Sequence, residues 1–194
     1  MSTFQMYFNL GLTHIADFKG YDHILFIITL CAVYMISDWK KILILITAFT
    51  VGHSSTLVLA TFDILTIPGK WIEFMIPVTI FFTALANILQ RKESFSTINH
   101  KFKYLMSLFF GLIHGLGFSN YLRALLISEK KLAGPLFSFN LGIELGQLLI
   151  VASFLILGMI FINLLNARQR EWNLIFSGAG LGVSLILIFE RLPF

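Results

Sequence analysis

The residues of this chain best suited to chemistry are two histidines and two aspartates between positions 14 and 23. The stretch contains His14, Asp17, Asp22 and His23 and leads directly into an apolar segment. Imidazole and carboxylate groups bind divalent cations, and imidazole suits zinc, nickel, cobalt and copper(II). At the mouth of a membrane helix, such a cluster is either a capture site for a cation or an anchor at the membrane interface. For Asp17, the interface anchor is the favoured interpretation.

The composition indicates an integral membrane protein. The 194 residues are 57% hydrophobic, have a mean hydropathy of +0.85 and include only 12% charged residues, whereas a soluble domain carries about 25%. The net charge of +4 is spread over short loops, which argues against a nucleic-acid partner. Cys31 is the single cysteine, so no disulfide framework is expected. We expect one membrane domain over residues 1–194, without a cleaved signal peptide.

We expect an all-α polytopic fold with about six transmembrane helices and a short N-terminal interfacial or re-entrant helix. A crossing needs about 20 apolar residues, and the segment Phe4–Leu12 is too short for one. The fifth predicted span is about 46 Å long at 1.5 Å per residue, so it must tilt, kink or protrude. Gly142 and Gly146 are candidate kink sites, and they would also let a neighbouring helix approach closely. No internal repeat is strong enough to use, although three plus three spans would permit an inverted one. The predicted spans are residues 20–37, 42–62, 71–90, 104–126, 135–165 and 172–189.

Loop cations give a weak prediction of orientation. Alternate loops carry eight lysines and arginines on one side and six on the other. Because cytoplasmic loops are enriched in these residues, we expect both termini outside and the loop Arg91–Lys103 in the cytoplasm.

Three ionisable residues are predicted to lie at a similar depth inside the membrane. Counting from the helix ends at 1.5 Å per residue places His53, His114 and Glu144 near the midplane or in the outer half. A carboxylate at mid-membrane costs at least about 2.5 kcal/mol, so Glu144 requires a partner, a proton or a bound ion. Asp22 and His23 lie at the outer end of the first predicted span. The matched depth predicts that all five residues gather around one path.

Further polar residues accompany them. Asn140, Glu144 and Gln147 follow the spacing i, i+4, i+7 and form one stripe on a helix face. Ser54 follows His53 and adds to a polar patch on the second span. Each histidine or amide, taken singly, also fits a hydrogen bond between helices, and for Gln147 this is the preferred interpretation.

Four motifs resemble, in order, those of the HupE/UreJ family of membrane proteins. Their spacing differs from the tighter His-x4-Asp-His signature of the nickel/cobalt permeases, since seven residues separate His14 from Asp22. The resemblance implies a bacterial inner-membrane protein that accompanies hydrogenase or urease maturation, has maturation proteins or a second copy as partners, and moves nickel or cobalt. The motifs are His14-Ile15 with Gly20-Tyr21-Asp22-His23, and the segments 49–54, 111–118 and 139–147.

The leading hypothesis is a permease for a divalent transition-metal cation, which would be nickel, cobalt or zinc. A copper(I) path would require cysteine and methionine in line, and no methionine neighbours the polar cluster in sequence. The ion, whether substrate or bound metal, would be captured outside and passed inward. The predicted capture residues are His14, Asp22 and His23, and the predicted inner residues are His53, His114 and Glu144, supported by Asn140, Ser54 and Gln147.

Two other classes of function fit the same residues. Three His, Asp or Glu ligands and a water would form a catalytic zinc site, so the alternative is an intramembrane zinc-dependent hydrolase in which Ser54, Ser55 or Ser119 positions a substrate. A membrane protein that only binds a maturation partner is the third possibility, although its short loops leave little surface for this.

Overall fold

The chain folds into a bundle of α-helices. The computed structural model describes residues 2–17, 20–90, 100–126, 129, 131–164 and 166–194, and these contain no β-strand. Residues 91–99 of the loop predicted to be cytoplasmic are outside this set. The helices are α1 (Thr3–Ile15), α2 (Asp22–Cys31), α3 (Trp39–Thr61), α4 (Gly69–Leu89), α5 (His100–Gly117), α6 (Ser119–Leu126), α7 (Ala133–Leu164) and α8 (Gln169–Glu190), with a 3-10 turn at Ile36–Asp38.

Within the part of the chain that the structure describes, four helices are long and apolar enough to cross a membrane. They are α3 with its preceding turn, α4, α7 and α8, and the pair α5–α6 adds a fifth candidate that is bent by 54°. Helix α2 is apolar but has only 10 residues, about half the length of a crossing. The all-helical membrane fold is therefore confirmed, whereas length and composition alone support four or five crossings and do not establish six.

Helix ends differ from the sequence prediction at three places. Helix α1 starts at Thr3 because Ser2 and Gln5 form a capping box, which satisfies free N–H groups of the first turn. The predicted span 20–37 contains the short helix α2, and the predicted span 104–126 is divided between α5 and α6. The long fifth span forms α7, a helix of 32 residues.

Glycines bring two pairs of helices into backbone contact. Helix α1 packs on α7 and α3 packs on α5, and a Cβ atom added to Gly11, Gly52, Gly111 or Gly142 would collide with a backbone carbonyl of the facing helix. Both pairs run parallel, because contacts advance together along the two helices: Ser107 bonds to Leu45, and further along Gly115 meets His53 and Thr56. Small residues at such crossings allow close helix packing in membranes.

Helices α4 and α8 form an antiparallel pair. Arg170 in the first turn of α8 donates to the carbonyl oxygens of Ile88 and Gln90 at the end of α4, at 2.6 and 3.0 Å. Near the other end, the rings of Trp71 and Phe194 have centroids 6.3 Å apart. Helix α2 lies beside this pair, since the side-chain nitrogen of Asn87 donates to the carbonyl oxygen of Thr29 at 2.7 Å.

Replacing Gly111 by alanine should destabilise the protein. The new Cβ would collide with the carbonyl oxygen of Phe49 and lie 3.0 Å from the nitrogen of His53, and overpacking of this kind costs about 1–3 kcal/mol. Gly178 on α8 has no atom within 4 Å of an added Cβ, so Gly178→Ala should be neutral or stabilising by up to about 1 kcal/mol. Thermal unfolding in detergent measures both, and equal melting temperatures for the two variants would contradict the packing argument.

Candidate metal centre

Three histidines from three different helices meet in the interior. His14 comes from the last turn of α1, His23 from the first turn of α2 and His53 from the middle of α3. One ring nitrogen of each lies within 4.8 Å of the others. Nitrogens bonded to one ion at about 2.1 Å would be about 3.4 Å apart in a tetrahedral site. Small ring movements would therefore close the group around a cation.

Four of the six ring nitrogens of this group are buried without a hydrogen-bond partner among the described residues. Nε2 of His14, Nε2 of His23 and both ring nitrogens of His53 are buried, and no group in the described part of the chain bonds to them. A buried polar atom without a partner costs about 1–3 kcal/mol. Several such atoms pointing into one place fit a divalent ion of the borderline class, for which imidazole is a suitable ligand.

His114 lies at the edge of the group. Its ring centroid is 5.2 Å from that of His23, and its Nε2 is 3.0 Å from the hydroxyl of Thr79 on α4. The side chain is fully buried, and Nδ1 has no bonding partner among the described residues. His114 can therefore offer Nδ1 as a further ligand while Thr79 fixes the other side of the ring.

Asp22 orients His23. The carboxylate accepts the backbone N–H of His23 at 2.9 Å, and its Oδ1 lies 3.1 Å from Nδ1 of the same residue. A proton on Nδ1 completes this bond and leaves the lone pair of Nε2 for a ligand. The second carboxylate oxygen accepts from Arg191 at 3.1 Å. In this structure Asp22 therefore bonds to His23 and Arg191, whereas the sequence predicts that it binds the cation directly.

A cavity of about 300 Å³, called the vestibule below, connects this group to one end of the bundle. Among its described lining residues, Asp17, Asp22 and Glu73 are acidic and Arg191, which pairs with Asp22, is basic. An excess of negative charge around a cavity raises the local concentration of cations. The lining residues are His14, Asp17, Gly20, Asp22, His23, Glu73, Ile76, Gly117 and Arg191.

Aromatic rings surround the histidines on the remaining sides. The ring of Phe118 has its centroid 3.9 Å from that of His14, and Phe26 and Phe49 lie 4.9 and 5.2 Å from His114. Such walls exclude water, which strengthens electrostatic interactions inside the site.

The structure does not bring Glu144 to the histidines. Its carboxylate accepts a hydrogen bond from Thr47 at 3.2 Å and lines a separate cleft of about 320 Å³ between α3 and α7. Asn140 and Ser54 line the same cleft. Gln147 is buried and accepts a hydrogen bond of 2.7 Å from Thr50, as expected for a contact between helices.

Several residues of the site have no signal in the sequence. Thr79, Glu73 and Arg191 reach the histidines or the vestibule from the start and middle of α4 and from the end of α8. Their types are ordinary for a membrane helix or its ends, and only the packing of distant helices brings them together.

Comparison with known proteins identifies one family. The family model described as HupE / UreJ protein matches residues 1–190. No curated protein matches the chain, and neither does any solved structure.

Replacing Asp22 by asparagine should weaken metal binding while leaving the fold intact. Partners that orient a metal-bound histidine typically change affinity by about 10–100-fold, and we expect a loss in this range for Co(II) or Ni(II). Asp38→Asn is the control, because Asp38 pairs with Lys41 outside the site. Calorimetric or absorption titration of the purified protein measures the affinity. An Asp22→Asn variant with unchanged affinity would show that the bond to His23 has no role in binding.

Proposed function

The chain belongs to the HupE/UreJ family, and from this premise we propose that it is a membrane permease for a divalent transition-metal cation, with nickel or cobalt as its cargo. The observation that carries the proposal is the group of His14, His23 and His53. Nε2 of His14, Nε2 of His23 and both ring nitrogens of His53 have no partner among the described residues. The family supports a role in nickel or cobalt handling, and imidazole suits these ions.

The spacing of the ligands favours passage over permanent binding. A structural site holds its ion in a closed set of four ligands at bonding distance, whereas a conducting site must also release it. Here the ring centroids of His14 and His53 are 6.1 Å apart, and those of His23 and His53 are 6.2 Å apart. A loose group with an acidic opening suits an ion that arrives, exchanges ligands and leaves.

The path begins at the vestibule. A cation attracted by Glu73 would lose water as it reaches His14 and His23, and would be handed to His53 and His114 at the centre of the bundle. The charge of Asp22 is shared between His23 and Arg191, so the carboxylate stabilises the ligand without holding the ion permanently.

A hydrolase receives less support from the same geometry. Ser54 and Ser55 line the cleft beside Glu144, away from the histidine group. Ser119 donates to the carbonyl oxygen of Leu116 in its own chain segment. Ser54 and Ser55 therefore face a different cleft, and the hydroxyl of Ser119 is already bonded to the backbone of its own segment.

Uptake into proteoliposomes tests the proposal. We expect saturable uptake of Ni(II) or Co(II), weaker uptake of Zn(II) and little of Mn(II), because manganese prefers oxygen ligands. His53→Ala should reduce uptake by at least about tenfold, and His100→Ala, at the start of α5, serves as the control histidine. Tight binding of one zinc ion without uptake would instead support a structural or hydrolytic centre.

The variant Glu144→Gln separates the histidine group from the second cleft. Because Glu144 bonds to Thr47 and does not reach the histidines, the nearly isosteric change should leave metal affinity within about twofold of the unchanged protein. Titration and uptake are measured on the same preparation. A loss of metal binding would return Glu144 to the ligand set, and a loss of uptake alone would place the cleft on a later part of the path.

A further inference from the structure

The two halves of the chain repeat one order of helices and one scheme of packing. Helices α1–α4 form the first half and α5–α8 the second. The first helix of each half packs on the third helix of the other: α1 on α7, and α5 on α3. The fourth helices, α4 and α8, pack on each other. This exchange of partners is what a two-fold relation between the halves produces.

The close contacts repeat in detail. A Cβ on Gly11 would collide with the carbonyl oxygen of residue 139, and a Cβ on Gly111 with that of residue 49; Gly142 and Gly52 relate in the same way to residues 8 and 108. The nearest backbone nitrogens would lie at 3.1 Å (Gly11 to Ile143), 3.0 Å (Gly111 to His53), 2.9 Å (Gly142 to Leu12) and 3.0 Å (Gly52 to Leu112). One alignment of the two halves, which pairs Gly11 with Gly111 and Gly52 with Gly142, accounts for all four contacts.

The sequence follows the same pairing. Gly-Leu-Thr-His at 11–14 corresponds to Gly-Leu-Ile-His at 111–114, and Phe-Thr-Val-Gly at 49–52 corresponds to Phe-Asn-Leu-Gly at 139–142. Between them, Gly-Tyr-Asp-His-Ile-Leu at 20–25 corresponds to Gly-Phe-Ser-Asn-Tyr-Leu at 117–122. The matches are short, and only the contacts of the folded chain identify which segments to compare.

The relation is inverted. Helices α4 and α8 occupy equivalent places in the two halves and run antiparallel, as the bonds from Arg170 to the end of α4 require. Halves of equal orientation would make this pair parallel. Repeats related by an axis in the membrane plane are a common architecture of transporters, with the substrate between broken helices. In this chain the broken helices are α1–α2 and α5–α6, and the histidines lie where both are interrupted.

The two ends of the α4–α8 pair are not equivalent in this structure. At one end Glu73 of α4 and Arg191, which follows α8, both line the vestibule. At the other end the helices are joined by four residues that we call the polar clasp: Asn87, Arg170, Asn173 and Ser177. Asn173 donates to the backbone oxygen of Asn87 at 3.0 Å, and Ser177 donates to the side chain of Asn173 at 2.8 Å.

The polar clasp is buried and connects three helices. Asn87, Asn173 and Ser177 are at most 5% exposed. Besides bonding within the clasp, Asn87 donates to the carbonyl oxygen of Thr29 on α2, and Arg170 caps the final carbonyls of α4. Because each hydrogen bond between membrane helices is weak, several of them can hold this end closed and can still break when it opens.

We propose that residues 3–89 and 100–190 are inverted repeats, and that the polar clasp is the closed gate at the end opposite the vestibule. The cation reaches the histidines with the clasp closed. It leaves when the α4–α8 pair tilts, which parts the clasp and closes the vestibule. That a cation passes this gate rests on the proposed function. That the vestibule end and the clasp end open alternately follows from the inverted repeats alone.

The test measures thiol reactivity at both ends of α4, without metal, in nanodiscs that expose both faces. Single cysteines are placed in a Cys31→Ala background at Ile76, which lines the vestibule, and at Thr83. Thr83 is one turn from Asn87, lines an apolar cavity with it and donates to the carbonyl oxygen of Thr79 in its own helix. Arg170→Gln removes the bonds to the end of α4. We expect labelling of Thr83→Cys by a polar maleimide to rise by at least about threefold, and labelling of Ile76→Cys to fall.

Opposite changes at the two positions separate a gate from general loosening. Arg170→Lys keeps one donor and should give an intermediate shift, and Arg168→Gln removes a neighbouring exposed charge and should change neither rate. Asn173→Ser provides a second, independent opening of the clasp if Arg170→Gln does not yield folded protein. Rates that rise together, or that do not respond, overturn the gate. If the two labelling rates change in opposite directions but the protein takes up no metal, the gate is supported and the permease function is refuted.

Discussion

The interior depends on backbone contact between helices at glycines. Gly11, Gly52 and Gly111 each face the backbone of another helix so closely that a methyl group has no room. Each also lies one to three residues before a histidine of the interior: His14, His53 and His114. The position of every one of these imidazoles is therefore fixed by a helix crossing, and rigid elements hold a site more closely than loops do. His23 is the exception, since it begins a helix and relies on Asp22 for its orientation.

The buried histidines cost folding free energy in the empty bundle, and this cost favours the binding of a ligand. Buried ring nitrogens that no described residue bonds remain at a penalty in the empty bundle. The surrounding contacts, including the interlocked backbones of α1 with α7 and α3 with α5, must offset it. A cation recovers part of the penalty when it binds. A closed ligand cage would recover more and would release the ion more slowly.

Much of the fold could be predicted from composition and apolar length, and part of the site from residue type. The helical membrane class, the unusually long α7 and the four histidines that lie close together, His14, His23, His53 and His114, all have local signals. Depth along a helix could be estimated by counting, but direction around the helix axis could not. Glu144 shows the difference: its depth matched that of the histidines, yet it bonds to Thr47 in another cleft.

The same reasoning explains why other features of the site were not predictable. Arg191 and Glu73 reach the vestibule from helix ends that are about 120 residues apart in sequence, and no local pattern relates them. Gly142 and Gly146 suited either a kink or the close approach of a neighbouring helix, and the structure shows the approach: a Cβ on Gly142 would meet the backbone of Phe8, and one on Gly146 the side chain of Ile15. A glycine in a helix is compatible with a close helix contact or with a bend, and only the position of the facing helix shows which of the two occurs.

The unequal chemistry of the two halves suggests why one site suffices for two repeats. Where the first half has Asp22 and His23, the second has Ser119 and Asn120, and Ile143 occupies the position that corresponds to His53. His14 and His114 alone are shared. A symmetric protein would hold two ligand sets and could bind two cations of like charge close together, which repel one another. Confining the strong ligands to one half leaves a single site near the pseudo-symmetry axis, while the symmetric backbone can still exchange its open and closed ends.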